Sequence, residues 1–449
     1  MQLTNLDFIL ILIYFAVLIL IGYWSSRKQN EEDYLIANRK LGAWQTMFTI
    51  NASKTGSILM LFTALVYIFG FAAMWYFIGM IIGVLLFLPF ALKLKERSSG
   101  KFYTLADYFK AHYSKGVAVI ASLISIFLMF GFLVINLIAG SKIFMFFSGW
   151  PFWICAIVMM LVVLIYILMG GFKAVVKTDI LQYVAMLFIM VLLFIILFKG
   201  SIIPPSDWNI FTISLPNLIG FFIAGILFPF AMPDMWQRVY SSKNKQTLKR
   251  GIISSAIIYF VFAFLLILIA LTVKSQFPGA DPDLALLHGF GSLLPTGLLG
   301  LSVVLLFAAI MSTIDTSIFT SSSAIIQDYF NWNKKKTIKN IRRVIFIVSV
   351  LGALAAIAVQ NLVIGAYIFI AALVVLAMIV IITWMKIRVR SLTLLSGFVL
   401  GLVVFFIALI VGMTTGSLQP TIVLYSLVAT LIGLLAGSIV SYFKYRKFR

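Results

Sequence analysis

Long apolar runs separated by short polar connectors fill the chain from end to end. A run of about twenty apolar residues is long enough to cross a bilayer as a helix. Thirteen occur, at 5–25, 44–69, 72–93, 117–147, 151–170, 175–199, 214–236, 251–273, 295–326, 341–359, 362–385, 391–413 and 420–443. Helices satisfy their own backbone groups in lipid, so the pattern predicts an all-α polytopic membrane protein. The longest polar stretches, 93–116 and 274–294, are too short for a soluble domain, so 1–449 reads as one transmembrane unit. In the second of these, Pro278, Gly279, Asp281 and Pro282 make a turn, and DLALLHGF after them predicts a short surface helix. The first run has neither a basic leader nor a small-residue cleavage site, and is expected to stay as a span.

Two spans interrupt their own apolar pattern. The second carries NASKTGS at 51–57, and the seventh carries Gly220, Gly225, Pro229 and Pro233. Each proline removes a backbone donor and crowds the preceding turn, so the seventh helix should break. The two interrupted spans lie five apart. That spacing suits an architecture of two inverted five-helix repeats, whose first helices are discontinuous and hold the solute between their breaks. Repeat one then covers 44–199 and repeat two 214–385. Helix 5–25 stands before them, and two peripheral helices at 391–443 stand after.

The ninth span is polar on one side. At 100° per residue, Ala309, Ser312, Thr313, Thr316, Ser317 and Thr320 share a face, with Asp315 at its edge. Hydroxyls can simply glue helices together. A mid-membrane carboxylate costs about 2.5–3.5 kcal/mol on insertion scales and calls for a partner or a function. Hydroxyls, a carboxylate and the free carbonyls of a helix break are hard oxygen ligands of the kind an alkali cation needs. Broken span 2 and the hydroxyl face of span 9 therefore predict a sodium site.

Composition agrees with the apolar pattern: 63% of residues are apolar, only 10% are charged, and mean hydropathy is +1.14. The net charge of +21 would suit a nucleic-acid binder, but its placement does not. With thirteen spans and the N-terminus outside, the inner segments 26–43, 93–116, 170–177, 237–250, 327–343, 386–390 and 444–449 hold 30 of the 34 Lys and Arg residues. Only Lys54, Lys142, Lys199 and Lys274 fall elsewhere. This asymmetry predicts N-out and C-in topology in a plasma or inner membrane, with basic loops against anionic lipid and no nucleic-acid partner. The single cysteine, Cys155, reads as a core residue, and neither His112 nor His288 has the companions of a metal or catalytic site.

Four stretches resemble the sodium/solute symporter family over essentially the whole chain. They are ANRKLGAW (37–44), MGGFKAVVKTDILQ (169–182), MPDMWQRVYSSKNKQTLKRG (232–251) and AAIMSTIDTS (308–317), the third being the most specific. The resemblance implies the leucine-transporter-like inverted-repeat fold and alternating access driven by sodium. By the same resemblance, sodium would be held by the carbonyls of Ala52 and Thr55 and by Ala309, Ser312 and Thr313. A second cation site found in some members would fall on Asp179, Asp315 and Thr316, and Asp315 stands where a serine is expected. Asp234, Trp236, Gln237 and Arg238 would lie at the inner end of the seventh span, as anchors.

Lys54 is a second departure, since a polar or acidic residue is usual there. Four readings compete: a site for an anionic solute, a tethered cation paired with Asp315 or Asp179, a titrating proton carrier, or a side chain reaching into a wet vestibule. Ser53, Ser57 and Asn136, and more weakly Thr63, add the only other polar groups near the solute position, with Phe71, Trp75, Tyr76, Phe228 and Phe230 as gate aromatics. One cation in an apolar pocket favours a small carboxylate or amino acid over a sugar. The function expected is sodium-coupled symport of such a solute, with sodium as the coupling ion and no organic cofactor, by a chain that could act as a monomer. Alternatives are a sodium-independent or proton-linked carrier with Lys54 in place of the cation, or a membrane sensor. The chain ends six residues after the last span, which argues against an attached signalling module. No cluster of catalytic residues points to an enzyme.

Overall fold

The computed structural model describes residues 3–27, 29–56, 58–98, 100–198, 203–294, 299–330, 337–385, 389–416 and 422–446. Among them the secondary structure is helical, apart from one parallel bridge between Leu41 and Ser242. Helices α1 (Asn5–Ser26), α2 (Glu31–Ile36), α3 (Ala43–Thr55), α4 (Ile58–Phe69), α5 (Met74–Ser98) and α6 (Leu105–His112) lead into α7 (Lys115–Ser148) and α8 (Phe152–Phe198). Then come α9 (Leu215–Ala231), α10 (Pro233–Ser241), α11 (Lys245–Gln276), α12 (Ala285–Leu293) and α13 (Leu299–Tyr329). Helices α14 (Thr337–Val359), α15 (Leu362–Trp384), α16 (Ser391–Thr415) and α17 (Ile422–Arg446) close the chain.

Both expected breaks are present. The second span divides into α3 and α4 at Gly56, and the seventh divides into α9 and α10, bent by 44°. The second break follows from Met232 leaving helical geometry just before Pro233, which cannot donate its nitrogen. The short helix expected after the turn is α12, but it is not a surface helix: Ala285, Leu286, Leu287 and Phe290 are buried. Segment 170–177, expected to connect two spans, begins at a kink: the two helical pieces of α8 meet at Gly171, whose φ of 54° and ψ of −149° are not helical. A Cβ there would lie 2.6 Å from the Tyr34 ring, so only glycine fits.

Nine described helices are long and apolar enough to cross a membrane, or ten if the bent pair counts as one span. The difference from thirteen lies where helices run together. Ile58–Ser98 covers 41 residues and Phe152–Ile196 covers 45. At 1.5 Å per residue each holds enough residues for two crossings of the roughly 30 Å hydrocarbon core, and each is interrupted by a glycine of positive φ, Gly70 (62°) and Gly171 (54°). Leu362–Trp384 contributes only a shorter apolar stretch, Ala372–Trp384.

Helix α13 sits at the centre, almost wholly buried among α7, α8, α3 and α1. Asp7 ties it to the start of the chain: its carboxylate closes the capping box at Thr4 and also accepts from Gly300 N at 2.8 Å. Helices α5 and α9 touch backbone to backbone, where a Cβ on Gly79 would lie 2.2 Å from Phe222 O and one on Gly225 2.2 Å from Tyr76 O. Helices α16 and α17 pack mainly on each other and on α15, with their outer faces exposed.

Candidate functional site

The break in the second span lies against the hydroxyl face of α13. Helix α3 ends at Thr55, and Gly56 leaves helical geometry (φ −17°, ψ −117°). Ser312 Oγ lies 3.0 Å from Ala52 O and 2.7 Å from Ala309 O. Thr313 Oγ1 accepts from Gly56 N at 3.1 Å and lies 3.3 Å from Ser53 O. Four of the five expected sodium positions, Ala52, Ala309, Ser312 and Thr313, are thus joined directly. Thr55 is at the helix end with its hydroxyl turned back to Asn51 O, and the carbonyl that Thr313 touches is that of Ser53. All these oxygens are uncharged and belong to buried residues, a donor set suited to a monovalent cation taken up and released in turn.

Gly56 is needed for this approach. A Cβ on it would fall 2.1 Å from Thr313 Oγ1 and 2.2 Å from Asn136 Oδ1. Asn136, on α7, therefore borders the break as expected, and it also donates to Phe132 O at 2.7 Å. Ser53 Oγ donates to Asp234 at 2.8 Å. Ser57 lies outside the described residues, as does Lys199. Thr63 back-bonds to Leu59 O and reaches nothing in the site.

Lys54 points elsewhere. At 100° per residue it sits about 200° around α3 from Ala52, so it faces away from α13. Its ammonium lies 6.0 Å from the centroid of the Tyr259 ring on α11. The side chain is only 7% exposed, and among the described residues it forms no ion pair and no hydrogen bond. The pairing with Asp179 or Asp315 that the sequence suggested is not made.

Those carboxylates have other partners. Arg238 Nη2 lies 3.2 Å from Asp179 Oδ2 and 3.0 Å from Thr316 Oγ1, while its Nη1 lies 3.3 Å from Asp234 Oδ2. Its Nε donates to Thr49 O at 3.0 Å, and the Thr49 hydroxyl donates to Asp179. Two of the three positions expected to hold a second cation are therefore gathered on a guanidinium of the chain itself. The third, Asp315, faces α8, where it accepts from Tyr166 OH at 2.8 Å and from Thr178 Oγ1 at 3.3 Å. One oxygen each of Asp179, Asp234 and Asp315 is buried with no hydrogen-bond partner among the described residues.

The anchoring expected of α10 is present but lies deeper than a rim. Gln237 joins Leu35 O and Thr320, Trp236 donates to Phe230 O, and every residue of the helix is buried. Arg238 and Asp234 thus belong to the charged centre, which sequence reasoning missed. The signal was there: an i, i+4 acid–base pair directly after a proline break puts both charges on one face.

Comparisons with known proteins identify the family. The model of the sodium:solute symporter family matches residues 34–201 and 209–401. The chain belongs to that family. A sodium/proline symporter of Staphylococcus aureus (strain Newman) is 26% identical over 348 residues, covering 72% of this chain and 68% of that one. Among solved structures, a Na+-coupled sialic acid symporter in a substrate-bound outward-open state superposes with a TM-score of 0.80 at 21% identity, covering 97% of this chain and 98% of that one. A nucleobase-cation-symport-1 family transporter gives 0.62 at 13% identity, covering 92% and 96%. At these identities the two structures establish the leucine-transporter-like fold. The symporter is an integral membrane protein that moves a small solute with sodium, and it is not an enzyme.

Proposed function

We propose that the symporter takes up one sodium ion together with a small carboxylate-bearing solute, an amino acid being favoured, and that Lys54 receives the carboxylate. The observation that carries this reading is the Lys54 ammonium: buried beside the break, unpaired among the described residues and turned away from the oxygens of Ala52, Ser312 and Thr313. A buried cation with no direct ion pair is costly, and a solute carboxylate supplies one for only part of the cycle. Proline and sialic acid, the solutes named for the two relatives, are both carboxylic acids.

Charge balance supports one sodium. With all groups ionised, three carboxylates (Asp179, Asp234, Asp315) and two cations (Lys54, Arg238) leave the centre with one net negative charge, and one monovalent cation neutralises it. The second cation position, on this reading, is held by Arg238. The topology proposed is thirteen spans, with repeats at 44–199 and 214–385, peripheral helices at 5–25 and 391–443, the N-terminus outside and the C-terminus in the cytoplasm.

The test is sodium-driven uptake into liposomes of a panel of amino acids and small carboxylates, beside thermal unfolding in sodium and in choline. Lys54→Met should abolish uptake and keep the sodium-induced rise in Tm. A wild type indifferent to sodium, with a Lys54→Met variant that responds, would mean the lysine replaces the ion.

A further inference from the structure

On one face of α14 a cationic patch runs directly into an apolar one. Lys339, Arg342, Arg343, Phe346 and Ile347 follow one another at i, i+3, i+4, i+7 and i+8, the spacing of a single helical stripe. The stripe forms one wall of an open groove of about 1090 Å³, whose opposite wall is Leu168 and Met169 of α8. No carboxylate is among its described lining residues. Phe346 and Ile347 are 54% and 53% exposed, although they point into the groove rather than into the core.

We propose that this groove binds one anionic phospholipid, with its phosphate at Lys339 and Arg343 and its acyl chains along Phe346, Ile347 and Leu168. The order of the chemistry decides the occupant. From Lys339 to Phe346 is about 10 Å along a helix at 1.5 Å per residue, so charge gives way to apolar surface over a distance like that from a lipid headgroup to its chains. A soluble phosphate would use the cations and leave the apolar half in water. The groove also lies at the end of the bundle that carries the basic loops, where anionic lipid is expected to gather. Arg342 is committed to the protein: it donates to Met169 O at 3.3 Å and lies 5.6 Å from the Tyr34 ring. It thereby fixes α14 to α8 two residues before the turn at Gly171, so an occupied groove would brace that turn.

The experiment is lipid retention by native mass spectrometry, with thermal unfolding alongside, on the full chain in mixed vesicles or micelles of phosphatidylglycerol and phosphatidylcholine. Phosphatidylglycerol should be retained at one equivalent and raise Tm. Lys339→Gln with Arg343→Gln should weaken retention roughly twenty-five-fold, about fivefold for each charge removed near a membrane surface. Lys249→Gln with Arg250→Gln removes the same charge from the exposed start of α11 and should change retention less than twofold. The proposal is overturned if the two double variants lose retention equally, since bulk attraction then explains it. It is also overturned if phosphatidylcholine is retained as well, or if glycerol 3-phosphate alone raises Tm as much as the lipid.

Discussion

Arg238 on α10 and Asp179 on α8 meet at 3.2 Å with both side chains wholly buried. The pair joins a helix that follows one break to a helix packed against α3 and α13. Losing one partner of a buried pair is costly because the other charge is left uncompensated, typically by about 3–5 kcal/mol. Arg238→Gln should therefore lower Tm sharply, since it strands Asp179 and Asp234 together. Combining it with Asp179→Asn should cost less than the two single losses added. Strict additivity in thermal unfolding would show that the two groups do not depend on each other.

The oxygens around the first break give a second prediction. Ser312→Ala and Thr313→Ala each remove a hydroxyl that faces an α3 carbonyl or amide. Each should weaken sodium binding by about tenfold or more, that is about 1.4 kcal/mol. Thr313→Ser keeps the hydroxyl and should keep the response. The readout is the sodium concentration at half-maximal rise in Tm, and unchanged values in both alanine variants would remove the site from α13.

Gly56 makes a sharper case. An added methyl would meet Thr313 and Asn136 at little more than 2 Å. Gly56→Ala must push α3 away from α13, at about 1–3 kcal/mol for overpacking. Sodium protection should be lost while the folded protein persists, as judged by unfolding in choline. Wild-type sodium affinity in this variant would mean that the contact is not part of the ion site.

Asp315 is predicted to act as an acceptor for α8. Asp315→Asn keeps an acceptor oxygen for Tyr166 and should change Tm little. Asp315→Leu leaves the Tyr166 and Thr178 hydroxyls buried without it, and should cost about 1–3 kcal/mol. Tyr166→Phe in the leucine background should recover part of that loss. If asparagine proves as damaging as leucine, the charge of Asp315 matters rather than its hydrogen bonds.

Local chemistry made the breaks legible in advance. Pro233 cannot continue a helix, and NASKTGS has too little apolar character to be an ordinary span, so both discontinuities could be read from sequence. The hydroxyl stripe of α13 was legible for the same reason, because helical periodicity alone puts Ser312 and Thr313 on the face that meets Ala52. Lys173 and Lys177 marked a connector, and the chain does kink beside them at Gly171, but the pairing of Lys173 with Asp33 at 2.8 Å was not legible, because Asp33 lies on a separate helix 140 residues earlier. Arg238 was misjudged because a buried arginine and a loop arginine look alike until a partner is known, and Asp179 lies 59 residues away. The direction of Lys54 was available from the 200° between it and Ala52, but its aromatic neighbour Tyr259 lies on a helix that only tertiary packing brings close.

The glycine contact between α5 and α9 bears on how such a molecule can move. Gly79 and Gly225 leave no layer of side chains between the two backbones, so nothing there can shear or change rotamer to absorb a displacement. The two helices behave as a laminated beam. Any tilt that the bend beyond Ala231 imparts to α9 is handed to α5 without slack, and the stroke passes between segments about 140 residues apart in the chain.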